Sequence, residues 1–158
     1  MGSIIREIRQ HAFFEGFPEA LFKELRTCAD KVPYGVDEFI YRQGDPAEAF
    51  FLILQGRIAL ELYGGHHGAM IVQTVGEGEI LGWSWLFPPY RRHFDARAVT
   101  PVAAISLQAY CMREQAERNH HLGHELYKRF SRAVVTSLQA ARIQLLDLYS
   151  RSPAHSGR

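Results

Sequence analysis

Three kinds of side chain in this 158-residue sequence have the chemistry to act: histidines as metal ligands, a serine as nucleophile and paired arginines as anion receptors. His66-His67 sits between Gly64 and Gly68, but neighbours on a strand face opposite ways and chelate poorly. No His-x-His occurs, and His120 with His124 supply only two ligands, too few for a closed zinc site. A metal centre is not expected. Ser84 lies in Gly82-Trp83-Ser84-Trp85-Leu86, which lacks the Gly-x-Ser-x-Gly pattern and the strand-to-helix α/β context of a nucleophile elbow. It reads as a serine in the first turn of a short helix, and no enzyme is expected. Arg91-Arg92 remains. A guanidinium forks onto phosphate or carboxylate oxygens, and strand alternation admits only one of the pair to an interior.

Composition narrows the class. Hydrophobic residues make up 47% and charged residues 22%, with a net charge of +1, the balance of a globular chain with no field to draw DNA or an acidic membrane. Ile4-Ile5 is followed at once by Arg6, Glu7 and Arg9, which is no secretory leader. No stretch approaches the roughly 18 apolar residues of a membrane span. The expected location is the cytoplasm. Cys28 and Cys111 stand far apart without CxxC spacing, and in that compartment two reduced thiols are expected.

The elements that must position these residues follow from hydrophobic period. From Ile4 to Ala29, Phe13, Phe14, Phe17, Leu21, Phe22 and Leu25 recur at helical spacing. From about Tyr34 to Ser106 short apolar runs alternate with turns: Phe39–Tyr41, Phe50–Leu54, Arg57–Leu62, Met70–Thr74, Ala96–Val99 and Val102–Leu107. Such spacing predicts a sandwich, barrel or jelly roll, whose closed sheet has an inside. Helical period returns over Ala109–Arg118 and Leu122–Tyr149. On the last helix Leu122, Leu126, Phe130, Val134, Leu138, Ala141, Leu145 and Leu148 share a stripe, with coiled-coil steps at the end. That stripe packs on the roll or pairs with its own copy; a homodimer through Leu138–Leu148 is the expectation. One domain over residues 1–150 and a disordered tail over 151–158 complete the organisation.

Two segments resemble the cyclic-nucleotide-binding family of catabolite activators and protein kinase A regulatory subunits. They are Phe39-Ile40-Tyr41-Arg42-Gln43-Gly44-Asp45-Pro46-Ala47 and Phe50-Phe51-Leu52-Ile53-Leu54-Gln55-Gly56-Arg57-Ile58. Gly44 and Gly56 match the family's two turn glycines, where a positive φ is needed. The resemblance implies a mainly β fold, an antiparallel double-stranded β-helix (jelly roll) with N-terminal helices and a long C-terminal helix. It also implies a regulatory role and a small anionic ligand, cAMP or cGMP foremost.

By the same resemblance, the stretch from Gly78 to Ala98 matches the family's phosphate cassette. Gly82 falls on its glycine, Trp83, Ser84 and Trp85 on its one-turn helix, and Arg92 on the arginine that takes the phosphate. Arg91 is a second candidate for that phosphate, His93 falls where the family separates guanine from adenine, and Arg142 falls near its base contact. Trp83 departs from the pattern, because the family places there a glutamate that accepts from the ribose hydroxyl. Losing a hydrogen bond to a charged group costs about 1.5–3 kcal/mol; stacking a base on an indole returns about 1–3 kcal/mol. Weakened binding, rearranged binding, another ligand and an indole-filled pocket all stay open. The competing reading is a ligand-free interaction or scaffold module with Trp83, Trp85, Phe87 and Tyr90 as plug or docking patch. The sequence stops soon after the long helix, so no DNA-binding module is expected, and no motif names an effector protein.

Overall fold

The computed structural model describes residues 2–151; the rest of the tail expected to be disordered lies outside them. Eight strands run β1 (Ala29–Tyr34), β2 (Phe39–Tyr41), β3 (Ala49–Gln55), β4 (Arg57–Tyr63), β5 (Ala69–Gly76), β6 (Ile80–Leu81), β7 (Asp95–Ala98) and β8 (Val102–Gln108). They form two antiparallel sheets, ordered β1-β8-β3-β6 and β2-β7-β4-β5. Around them lie α1 (Gly2–Gln10), α2 (Phe22–Arg26), α3 (Ala109–Arg118) and α4 (His120–Ser150). This is the expected jelly roll with flanking helices.

Alternation divides the core. On β3, Ala49, Phe51 and Ile53 face the roll interior with Ile58, Leu60, Val75, Leu81 and Ala96. Phe50 and Leu52 face the opposite way, onto Phe14, Leu25, Met112, Leu126 and Phe130 of the helices. β3 is therefore apolar on both faces, which is why it reads as an unbroken hydrophobic run.

The turn glycines behave as their positions require. Gly44 has φ +88° and Gly56 has φ +99°, a region costly to residues with a Cβ. A Cβ on Gly56 would also strike the Pro101 carbonyl. The Asp45 carboxylate accepts from the Arg42 N–H at 3.0 Å and closes the first turn.

Two strands, β1 and the two-residue β6, escape the sequence reading. β1 carries Asp30, Lys31 and Pro33, a poor strand pattern. It survives because it is an edge strand, where a missing N–H is tolerated. Its pairing with β8, Ala29 opposite Leu107, also overturns the expectation of two free thiols. Cys28 precedes β1 and Cys111 lies on α3 just after β8, so the ladder brings them together and they form a disulfide. Eighty-three residues of sequence hide a contact that strand pairing makes local.

The stripe on α4 divides by halves. Leu122, Leu126 and Phe130 are buried against the roll, whereas Leu138, Leu145 and Leu148 are exposed. Asn119 caps the helix by accepting from the His121 and Leu122 N–H groups. The Arg129 guanidinium, paired with Glu125, donates to the Phe13 and Glu15 carbonyls, fastening α4 to the N-terminal segment.

Candidate anion-binding site

The cassette begins where β6 ends. Gly82 turns the chain with φ +89°, and Ser84–Leu86 form a single 3-10 turn, closed by the Leu86 and Phe87 N–H groups donating to the Trp83 and Ser84 carbonyls. Three residues per turn point neighbours about 120° apart, and the three faces have different fates. Ser84 turns to a cavity of about 200 Å³ that Gly82, Trp83 and His93 also line. Leu60, Val75 and Phe94 supply its apolar wall, and Ala133, Thr136 and Ser137 of α4 close it.

Trp85 goes the other way. It is 0% exposed, stacks on Phe50 at 5.0 Å and meets Phe130 edge-on at 5.4 Å. This corrects its assignment as a ligand contact: the turn's geometry gives Trp85 to the core. Trp83 stays half-buried at the cavity and stacks on the exposed His93 ring at 5.5 Å. No indole plugs the hollow.

The two arginines separate. Arg91 is exposed and donates to the Gly44 carbonyl at 3.5 Å. Arg92 is 4% exposed. Its Nη2 donates to the Ala49 carbonyl and its guanidinium carbon lies 4.1 Å above the Tyr41 ring, while Nε and Nη1 are buried with no acceptor among the described residues. Burial lowers its pKa, opposed by Tyr41, Asp45, Glu48 and Tyr34, yet a guanidinium stays charged. Tyr41, buried, is pushed up to about 12, so its phenol is neutral and supplies no counter-charge. Burying a cation costs several kcal/mol; Asp45 and Glu48 offset part of that through space, but Nε and Nη1 have no acceptor among the described residues, and that is the feature that asks for an anion.

Its placement corrects one expectation. Arg92 lines not the α4-side cavity but a second hollow of about 750 Å³, shared with Tyr34, Tyr41, Ala49 and the carboxylates Asp45 and Glu48. Gly82 is the partition: it lines the first cavity, and a Cβ there would stand 2.5 Å from Arg92 Nη1. Arg142 also falls away from the site. It is exposed on α4, beyond the residues that close the cavity, because the helix has left the roll by that point.

Tyr41, Thr136, Ser137 and Arg113 are site residues that sequence reasoning missed. Arg113 on α3 donates to the Trp85 carbonyl at 2.7 Å and packs over Tyr90 at 4.5 Å. Nothing in the local pattern marks any of them, since each reaches the cassette through tertiary packing.

Residues 31–119 match the family model described as the cyclic nucleotide-binding domain, and that span holds the cassette and both arginines. The chain belongs to the cyclic nucleotide-binding domain family. A crystal structure from Geobacter metallireducens, described as that of a cyclic nucleotide-binding protein, is 26% identical with a TM-score of 0.76, covering 84% of this chain and 96% of that one. A cyclic nucleotide-binding domain from Methylobacillus flagellatus is 18% identical with a TM-score of 0.81, covering 92% and 84%. The sensor domain of the transcriptional regulator DNR from Pseudomonas aeruginosa is 19% identical with a TM-score of 0.67, covering 85% and 90%. The last two show the fold alone. No curated protein matches the chain. Domains of this family are generally regulatory or sensory, and no helix among the described residues is long and apolar enough to cross a membrane.

Proposed function

We propose that this domain is a cytoplasmic regulatory sensor that takes a small anion, cAMP or cGMP foremost, at Gly82–Ser84 with Arg92, and signals through α4. The observation that carries the reading is Arg92, a buried cation with Nε and Nη1 lacking acceptors, directly behind a glycine that puts no side chain in the way. An anion over Gly82 draws the guanidinium round it, exchanging the Ala49 carbonyl for a charge-assisted fork. Trp83, already stacked on His93, offers a base the face that replaces the missing glutamate.

Size explains the signal. Sites for drug-sized ligands span about 300–1,000 Å³, and the cavity here is about 200 Å³. A nucleotide filling this cavity would press on Ala133, Thr136 and Ser137, which couples ligand to α4 position, as a population shift requires. The exposed Leu138, Leu145 and Leu148 then carry the movement into a homodimer or an effector protein.

The same small cavity favours a second reading, a ligand-free scaffold in which α4 stays shut. Calorimetric titration with cAMP, with cGMP and with inorganic phosphate, on wild type and Arg92→Ala, separates the two. Saturable heat that vanishes in Arg92→Ala supports the sensor; silence at millimolar concentration from all three supports the scaffold.

A further inference from the structure

Cys28 of the Cys28–Cys111 disulfide lines the same hollow as Arg92, but the bond itself has no part in the reading above. Its surroundings give it a use. α3 is fixed on three sides: Ala109 and Met112 are buried in the helical core, Cys111 is tied to Cys28 at the start of β1, and Arg113 holds the cassette. Arg113, two residues after Cys111, donates to the Trp85 carbonyl, and it also covers Tyr90, next to the arginine pair. The tether and the cassette grip therefore ride on the same helical turn.

The thiols would also stay together without the bond. The Gln108 N–H donates to the Cys28 carbonyl at 3.0 Å and the Ala109 N–H to the Glu48 carbonyl at 2.8 Å, so backbone pairing, not the disulfide alone, sets the 5.6 Å separation of the two α-carbons. Cys28 is buried and Cys111 only half-buried, so Cys111 is the more accessible residue of the two.

We propose that Cys28–Cys111 is a dithiol-exchange site whose redox state sets how firmly α3 holds the cassette. A thiolate of a dithiol reductant attacks Cys111 Sγ, forming a mixed disulfide and breaking the Cys28–Cys111 bond, and Cys28 leaves as thiolate and takes a proton. The reductant's second thiol then attacks its own sulfur of the mixed disulfide, releasing Cys111 as a thiol. The reductant ends as a disulfide, having given two electrons and two protons. Reduced, α3 loses its covalent stop, and the Arg113 grip on Trp85 and Tyr90 loosens. In a reducing compartment disulfides that do form are usually transient and sensing.

The two tryptophans of the chain, Trp83 and Trp85, both lie in the cassette, so intrinsic fluorescence reports on it with no ligand present. Acrylamide quenching is measured on the oxidised protein, after dithiothreitol, and after reoxidation, with thiols counted in denaturant. Reduction should raise the quenching constant and reoxidation restore it. Cys111→Ser should quench like the reduced form under both conditions, and Arg113→Ala should quench strongly whether oxidised or reduced. Identical quenching of oxidised and reduced wild type overturns the proposal, as does a count of two free thiols after mild oxidant. Reduction of the wild type keeps the test valid if Cys111→Ser fails to fold, and a null result in the nucleotide titration leaves it untouched.

Discussion

Gly82 and Arg92 are fitted to one another: a Cβ on Gly82 would lie 2.5 Å from Nη1 and 3.4 Å from the guanidinium carbon of Arg92. Gly82→Ala therefore brings backbone strain and a collision with the buried cation. Gly44→Ala is the control, because Gly44 has nearly the same φ, +88° against +89°, and open space where its Cβ would be. Strain alone costs about 1–2 kcal/mol. Urea unfolding should show the larger loss for Gly82→Ala, and the difference isolates the contact; equal losses would mean that Arg92 moves aside freely.

His11 gives the fold a pH edge. Its Nδ1 accepts from the Phe13 N–H at 3.2 Å, which leaves Nε2 to donate to the Ile53 carbonyl at 3.1 Å. Burial is the larger influence and lowers its pKa below 6.5, against the raising effect of its backbone hydrogen bonds. The folded protein thus resists a proton that the unfolded chain accepts. The stabilisation is complete above pH 6.5 and declines as the pH falls through that value toward the folded pKa. His11→Gln should flatten that part of the stability profile, read from urea midpoints across the range.

The exposed half of α4 predicts an assembly. Leu138, Leu145 and Leu148 are 48–67% exposed and repeat at coiled-coil spacing. Sedimentation should find a dimer for the wild type and a monomer for the Leu145→Glu, Leu148→Glu double variant. The thermal transition should persist, because the buried half of the helix is untouched.

Much of this was legible in the sequence, and the limits have physical causes. β3, β4, β8 and both C-terminal helices announce themselves because each buries a regular face. β1 does not, since Pro33 and its charges sit on an edge, and β6 is two residues long. Arg92 and Gly82 were found through the family cassette, but not the fact that they occupy opposite sides of a partition. Trp85 was misplaced because a 3-10 turn sends adjacent residues to different environments. The Cys28–Cys111 bond and the Arg113 grip depend on which strands pair, information that local spacing does not contain.

The account rests on a buried cation whose Nε and Nη1 have no acceptor among the described residues, and the most direct measurement is a double comparison of urea midpoints. Wild type and Arg92→Met are unfolded with and without saturating cAMP. Replacing the buried guanidinium by an apolar side chain should leave Arg92→Met at least as stable as wild type in the absence of ligand. Ligand should raise the midpoint of the wild type alone. If Arg92→Met is the weaker protein without ligand, or gains as much from cAMP as wild type does, Arg92 is a structural residue and the anion receptor lies elsewhere.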